Sequence, residues 1–209
     1  MTRPTLLIFT KPPRIGVSKT RLAKDVGRAE ARRIAHYTTA KTMQAVKGLG
    51  WACELHIEPA RAVGETLGGL WPAHIAHMPQ GRGDLGDRMG KAMENAPPGP
   101  VIFIGTDAPA IGQHYLLRAA RDLRHDGAVF GPAADGGFWL LGLSQSLRDR
   151  RVFEGVRWSG PHAMEDVWSN LPSRAHVSLL PQLIDIDTGK DWILFNRQSQ
   201  NRRSAARLI

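Results

Sequence analysis

Val101-Ile102-Phe103-Ile104-Gly105-Thr106-Asp107-Ala108-Pro109 is the stretch on which the fold turns. Four consecutive β-branched or aromatic residues show no apolar–polar alternation, as a strand covered on both faces requires. The stiff turn Pro97-Pro98-Gly99-Pro100 leads into the run, and a carboxylate, Asp107, follows it closely. Towards the N-terminus, residues 84–94 read as a helix that Asp84 is placed to cap. Residues 73–78 and 51–57 read as strands, and 61–70 as a short helix between them. Residues 27–49 read as a longer helix, with Ala31, Ile34, Ala35, Thr38, Ala45, Val46 and Leu49 near helical spacing. Leu6-Leu7-Ile8-Phe9 is a second all-apolar strand. Towards the C-terminus, 113–123 is helical, 128–130 and 138–143 extended, and 161–171 helical. Residues 177–180 and 183–186 are short extended pieces before a closing helix at 191–198.

Strands separated by helices need crossover connections, which places helices on both faces of the sheet. The expected class is α/β, three-layer α/β/α with a mostly parallel mixed sheet. Neither an internal repeat nor a long linker is visible, so one domain over residues 1–209 is expected, with a basic, frayed and solvated tail from about residue 197. In such sheets ligands bind outside the carboxyl ends of the strands. The loops that follow strands are therefore where function is to be sought.

Composition narrows the classes. The chain has 209 residues, 42% apolar and 22% charged, which suits a packed core and disfavours general disorder. No apolar run is long enough to span a bilayer. The opening segment lacks a small-residue cleavage site and reads as a first strand, not a signal peptide. The single cysteine, Cys53, excludes an internal disulfide and fits a cytoplasmic protein. Lys and Arg number 28 against 19 acids, a difference of +9 that favours anionic partners. Base-stacking aromatics are not interleaved with the basic runs and no nucleic-acid motif occurs, so no nucleic-acid partner is expected.

Four post-strand loops carry unusual chemistry. The first, Lys11-Pro12-Pro13-Arg14-Ile15-Gly16-Val17-Ser18-Lys19-Thr20-Arg21-Leu22, offers Lys11, Lys19 and Arg21 for phosphate oxygens and Gly16 for a close backbone approach. It lacks both the Walker spacing and Gly-x-Gly-x-x-Gly. The bland alternative is a solvated basic loop. The second, Gln80-Gly81-Arg82-Gly83-Asp84-Leu85-Gly86-Asp87-Arg88, can bring the backbone at Gly83 and the Arg88 side chain to a nucleotide, or be an ordinary turn before a helix. The third holds Asp107, placed for a divalent ion, since Mg²⁺ takes one or two carboxylates with phosphate oxygens and water; it could instead cap the helix near Gln113. The fourth, Gly131-Pro132-Ala133-Ala134-Asp135-Gly136-Gly137-Phe138-Trp139, reads as a hairpin or as a sugar site in which Asp135 accepts hydroxyl hydrogen bonds. Trp139 is a stacking surface for a sugar or a core residue. Asp185-Ile186-Asp187-Thr188 points two acids to one side of an extended segment, and both are candidates to complete a metal site with Asp107. For Asp187 the alternative is a cap for the helix after Thr188.

Taken in order, Lys-x-Pro-x-x-Gly-x-x-Lys-Thr-Arg-Leu, Gly-Thr-Asp-x-Pro, Gly-Pro-Ala-x-Asp-Gly-Gly-Phe and Asp-x-Asp-Thr resemble the small bacterial glycosyltransferase-like family linked with radical-SAM/selenium-domain gene clusters and arsenosugar biosynthesis. The resemblance spans about residues 5–195. It implies the nucleotide-diphospho-sugar transferase superfamily and its GT-A fold. The opening Lys-Thr-Arg-Leu and closing Asp-x-Asp-Thr are also similar to phospholactate guanylyltransferases. Carried over, Lys19 and Arg21 would contact nucleotide phosphates, Gly83 would lie near the nucleoside, and Asp107 with Asp185 or Asp187 would bind Mg²⁺ or Mn²⁺. Asp135 would lie on the acceptor side. Gly-Thr-Asp-Ala departs from the Asp-x-Asp of many glycosyltransferases and resembles the single acid of nucleotidyltransferases.

Two chemistries follow. One is sugar transfer from a nucleotide-sugar to a small-molecule acceptor, with metal on Asp107 and Asp135 as catalytic base. The other is nucleotidyl transfer from an NTP to a phosphorylated acceptor, which the same cations and metal would serve.

Overall fold

The computed structural model describes residues 3–125 and 127–206. Its strands are β1 (Thr5–Thr10), β2 (Cys53–Ile57), β3 (Ala76–Pro79), β4 (Val101–Ile104), β5 (Gly127–Pro132), β6 (Phe138–Leu143) and β7 (His176–Leu179). They form one seven-stranded sheet in the order β3-β2-β1-β4-β6-β5-β7. β1 lies inside the sheet and pairs in parallel with both β2 and β4, with Ile8 opposite Leu55 and Ile104. β2–β3 and β5–β7 are parallel as well, while β6 runs antiparallel to β4 and β5. The sheet is thus mixed and mostly parallel, as the sequence predicts.

The unbroken apolar runs do what burial on two faces demands. Leu6 and Ile8 enter one core with Ile102 and Ile104, while Leu7 enters the opposite core with Val101 and Phe103. The first core is covered by α2 (Arg28–Val46), through Met43 and Val46, and by α4 (Gln113–Asp122), through Leu116 and Ala119. The second is covered by α3 (Leu85–Asn95), through Met89 and Met93, and by α5 (Ala163–Ser169), through Val167. Helices α1 (Leu22–Val26) and α6 (Gly189–Ala206) build a third, smaller core with α2, in which Leu22, Ile34 and Phe195 enclose Ile184 and Ile186.

Several local expectations are corrected. Residues 61–70 form no regular helix, only 3₁₀ turns at Ala60–Ala62 and Leu67–Gly69, because Gly64, Gly68 and Gly69 take left-handed backbone angles that end each turn. The long helix expected from residue 27 is preceded by the unforeseen α1, and Gly27 at φ +82° separates the two. Residues 183–186 do not become a strand; a single bridge pairs Leu183 with Ala133. The closing helix runs to Ala206, so the expected frayed tail is helical over 197–206. Its Gln, Arg and Ala residues favour that state. Of Arg202 and Arg203 only the backbone is described, and Arg207 lies outside the described residues.

β5 and β6 are neighbours joined by a tight turn over residues 133–137. That turn docks on the first turn of α5, since Met164 N donates to Gly136 O at 3.2 Å. Gly136 has φ +88°, and a Cβ there would be driven into the Pro161 carbonyl. Gly155 has φ +66° and open space around the same position. Gly136→Ala should therefore lower the unfolding free energy by about 3 kcal/mol and Gly155→Ala by about 1 kcal/mol, read by urea denaturation. Equal losses would show that the docking contact adds nothing to the backbone strain.

Candidate functional site

Because β1 to β4 are mutually parallel, their carboxyl ends lie along one edge of the sheet. β6 is antiparallel, so it begins at that edge and the 133–137 turn is delivered there too. At this edge opens a cavity of about 470 Å³, lined by the first loop, the ends of β1 and β4, and the start of β6. Lys11, Lys19, Arg21, Arg88, Asp107, Asp185 and Asp187 all line it. Gly16, Gly83 and Asp135 do not line it.

Lys19 stands where the first loop turns into α1, and its carbonyl accepts from Ala23 N at 2.9 Å. Its backbone is left-handed, φ +53°, which is uncommon for a residue with a side chain. The fully buried Leu22 anchors the loop behind it. The lysine side chain is only 4% exposed; its Nζ lies 2.5 Å from Asp107 Oδ1 and 3.3 Å from Asp187 Oδ1. Burial alone would lower its pKa, but the charges of Asp107 and Asp187 and the Asp107 hydrogen bond prevail, and the ammonium is held above its ordinary value. Arg21 Nη2 donates to the other Asp187 oxygen at 2.9 Å.

Asp107 and Asp187 are distant in sequence and are brought together by main-chain bonds. Leu180 N donates to Phe130 O at 2.8 Å, and Leu183 N to Pro132 O at 3.0 Å. The segment then crosses to the β4 loop, where Ile186 N donates to Asp107 O at 3.0 Å. Burial of Ile184 and Ile186 fixes the alternation that turns Asp185 and Asp187 towards the cavity. Capping of α6 does not fall to Asp187. Thr188 N donates to Asp191 Oδ2 at 2.7 Å, and Asp191 N returns a bond to Thr188 Oγ1 at 3.4 Å, which leaves the Asp187 carboxylate to the two cations.

Asp107 does not cap α4 either, since Gly112 holds the N-cap position without a side-chain bond. Trp139 belongs to the core: it is 2% exposed and its Nε1 donates to Pro181 O at 3.2 Å, and it lines the cavity as part of that packed core. Asp135 accepts from Gly137 N at 3.0 Å at the tip of the turn. Gly83, at φ +101°, packs against Asp87, within the Asp84–Asp87 capping box that starts α3. Its carbonyl accepts from Arg88 Nε at 3.0 Å.

Sequence reasoning overlooked Gln80 as a site residue. Buried at the end of β3, it donates through Nε2 to Thr10 O at 3.3 Å and His56 O at 3.0 Å. Its Oε1 accepts from Arg88 Nη1 at 3.3 Å, so it ties the ends of β1 and β2 to an arginine of the cavity. The available signal was an amide directly after a strand, followed eight residues later by an arginine. Thr10 and Thr106, whose hydroxyls meet at 3.2 Å across β1 and β4, were likewise unforeseen.

The donor set suits a hard cation. Two carboxylates already converge on one positive charge, the Lys19 ammonium, and oxygen ligands match Mg²⁺ or Mn²⁺. Among the described residues no group of three or more His, Cys, Asp or Glu side chains is arranged for a metal. Remaining ligands would have to be substrate oxygens and water. Asp185, ringed by protein behind this pair, is pushed up to about 8 by desolvation, then by the negative charge of Asp107, with Lys19 opposing.

That shift has a sign. Well below its ordinary value of 3.8, Asp185 is protonated in folded and unfolded chains alike. Between about 4 and about 8 only the unfolded chain releases the proton, so stability falls as pH rises; above about 8 both are ionised and the penalty is constant. Asp185→Asn lacks this fall. Its unfolding free energy relative to the parent protein should grow across that window in urea titrations, and a constant difference would overturn the assignment.

The comparisons with known proteins agree with this architecture. A candidate nucleotide-diphospho-sugar transferase from Desulfovibrio desulfuricans G20 is similar at TM-score 0.84 and 28% identity, over 96% of this chain and 89% of that one. The 4-diphosphocytidyl-2C-methyl-D-erythritol synthase of Anaerococcus prevotii DSM 20548 is similar at TM-score 0.59 and 11% identity, over 95% and 99% of the two chains. Rv0371c of Mycobacterium tuberculosis H37Rv, in complex with manganese, is similar at TM-score 0.51 and 16% identity, over 91% and 96%. At such identities the last two speak for the fold alone, that of the nucleotide-diphospho-sugar transferases. No curated protein matches the sequence. The family described as "Uncharacterized protein conserved in bacteria (DUF2064)" matches residues 41–160, more than half of the chain, and the protein belongs to it.

Proposed function

We propose that the protein is a metal-assisted transferase that binds a nucleotide-sugar in the cavity at the carboxyl edge and passes the sugar to a small-molecule acceptor. The observation that carries this reading is the meeting of Lys19 and Arg21 with Asp107 and Asp187 on the wall of one cavity. Cations for a diphosphate and carboxylates for a divalent ion stand within one ligand's length. A cavity of about 470 Å³ is of the size that small-molecule sites take. The likeness to the Desulfovibrio protein supports the same class.

In this reading Lys19 and Arg21 meet the phosphate oxygens, Lys11 stands at the rim, and Arg88, braced by Gln80, adds charge on the side of Gly83, near the nucleoside. Asp107 and Asp187 would hold Mg²⁺ or Mn²⁺, which when bound neutralises the charge that develops on the diphosphate leaving group. Asp135, close enough to raise the pKa of Asp185, is the base nearest the acceptor side. The kinship with the radical-SAM- and arsenosugar-linked family belongs to this proposal, as does the working of residues 1–209 as one transferase unit.

Two observations favour nucleotidyl transfer as the second reading. The β4 loop carries a single acid, and Asp135 stands outside the cavity wall with its carboxylate turned to Gly137. Nucleotidyl transfer needs charge stabilisation and alignment more than a base.

A thermal-shift screen of nucleoside diphosphates, NTPs and nucleotide-sugars with and without Mn²⁺ tests the site. A ligand at 100 times its dissociation constant should stabilise the fold by about 2.7 kcal/mol. Asp107→Ala should remove the Mn²⁺-dependent part of the shift, and an unchanged shift takes Asp107 out of the site. Release of a nucleoside diphosphate from a nucleotide-sugar marks sugar transfer, and release of pyrophosphate from an NTP marks the second reading.

A further inference from the structure

We propose that Lys19 and Arg21 serve as a resident cation pair that closes the carboxylate site, so that a divalent metal enters only together with an anionic nucleotide. The inference rests on the nucleotide-and-metal reading above and adds to it an order of assembly. Three of the four oxygens of Asp107 and Asp187 are already engaged by positive charge. Lys19 Nζ sits 2.5 Å from Asp107 Oδ1 and 3.3 Å from Asp187 Oδ1, and Arg21 Nη2 lies 2.9 Å from Asp187 Oδ2. The lysine is nearly sealed from solvent while the Asp107 carboxylate is 47% exposed, so an ion reaching that carboxylate from the cavity meets the ammonium at contact distance.

Charge accounting decides the matter. Two carboxylates and two cationic side chains sum to zero in the free protein. A divalent ion arriving alone would have to sit against the ammonium or expel it from a buried site with no anion to receive it, which is strongly unfavourable. A diphosphate arriving with the metal supplies that anion. The ammonium and guanidinium transfer to phosphate oxygens, and the freed carboxylates face the ion. Residues well placed for the exchange are at hand. Arg21 is 66% exposed, so its guanidinium can leave Asp187 for a phosphate without crossing a packed core. Ser18 Oγ, on the cavity wall beside Lys19, has no hydrogen-bond partner among the described residues to surrender when a phosphate oxygen reaches it.

Binding of Mn²⁺ alone to the full chain, followed by calorimetry or by the electron-spin signal of free Mn²⁺, tests this. Lys19→Met should bind Mn²⁺ at least about tenfold more tightly than the parent protein in the absence of nucleotide, a coupling of ordinary size between neighbouring sites. Adding Asp107→Asn to Lys19→Met should remove the gain. Equal Mn²⁺ affinity for the parent protein and a folded Lys19→Met would overturn the proposal. Crystals of the unmutated protein give a second test that needs no variant. Soaked in Mn²⁺ alone they should show no anomalous peak between Asp107 and Asp187; soaked in Mn²⁺ with UDP, GDP or CDP they should show one. A peak with Mn²⁺ alone, Lys19 still paired, would overturn it equally. A tighter Mn²⁺ site in Lys19→Met with no response to any nucleotide supports the cation closure and removes the nucleotide reading. Nucleotide binding with unchanged Mn²⁺ affinity does the reverse.

Discussion

An ammonium shared between two carboxylates holds this site in shape. Lys19 comes from the loop after β1, Asp107 from the loop after β4 and Asp187 from the segment before α6, so a single charged group ties three distant parts of the chain. Its buried member, the Lys19 ammonium, is kept charged there because the charges balance and both carboxylates contact it. The left-handed backbone of Lys19 is tolerated for the same reason: the ion pairs and the buried Leu22 fix the residue from both sides.

The sheet makes that meeting possible. Parallel strands deliver their following loops to one edge, and the reversed β6 delivers its preceding turn to the same edge. The cavity therefore collects the basic loop, the Gln80–Arg88 arm, Asp107 and the acids of 185–187 without any of them being near in sequence. Main-chain bonds from residues 180–186 to β5 and to Asp107 then set the acids at the proper depth. The small core under α1, α2 and α6 reinforces them, since removing Ile184 or Ile186 would loosen the segment that carries both acids.

Much of the fold was legible because its strands are short, wholly apolar and bounded by turns. Val101–Ile104 and Leu6–Phe9 read correctly for that reason, and Asp84 was visible as a helix cap. Errors fell where glycine overrode an apolar pattern, as at residues 61–70, or where a few residues became helix only because a neighbour covered them, as in α1. Within the site, charge and position after a strand pointed to Lys19, Arg21 and Asp107. The same cues do not distinguish a wall residue from one beside it, and Gly16 and Gly83 lie off the cavity wall. Gln80 escaped notice because its importance lies in three partners from β1, β2 and α3, none adjacent in sequence.

What the amino-acid order determined by itself was local: the two-faced strands, the helix starts and the chemical character of each post-strand loop. Those follow from the steric and apolar preferences of neighbouring residues. Only the tertiary structure decided that Lys19 rests on carboxylates, that Thr188 and Asp191 take the capping role and free Asp187, and that Trp139 belongs to the core. Each of those outcomes is a competition between partners far apart in the chain, settled by burial and charge balance at the point where they meet.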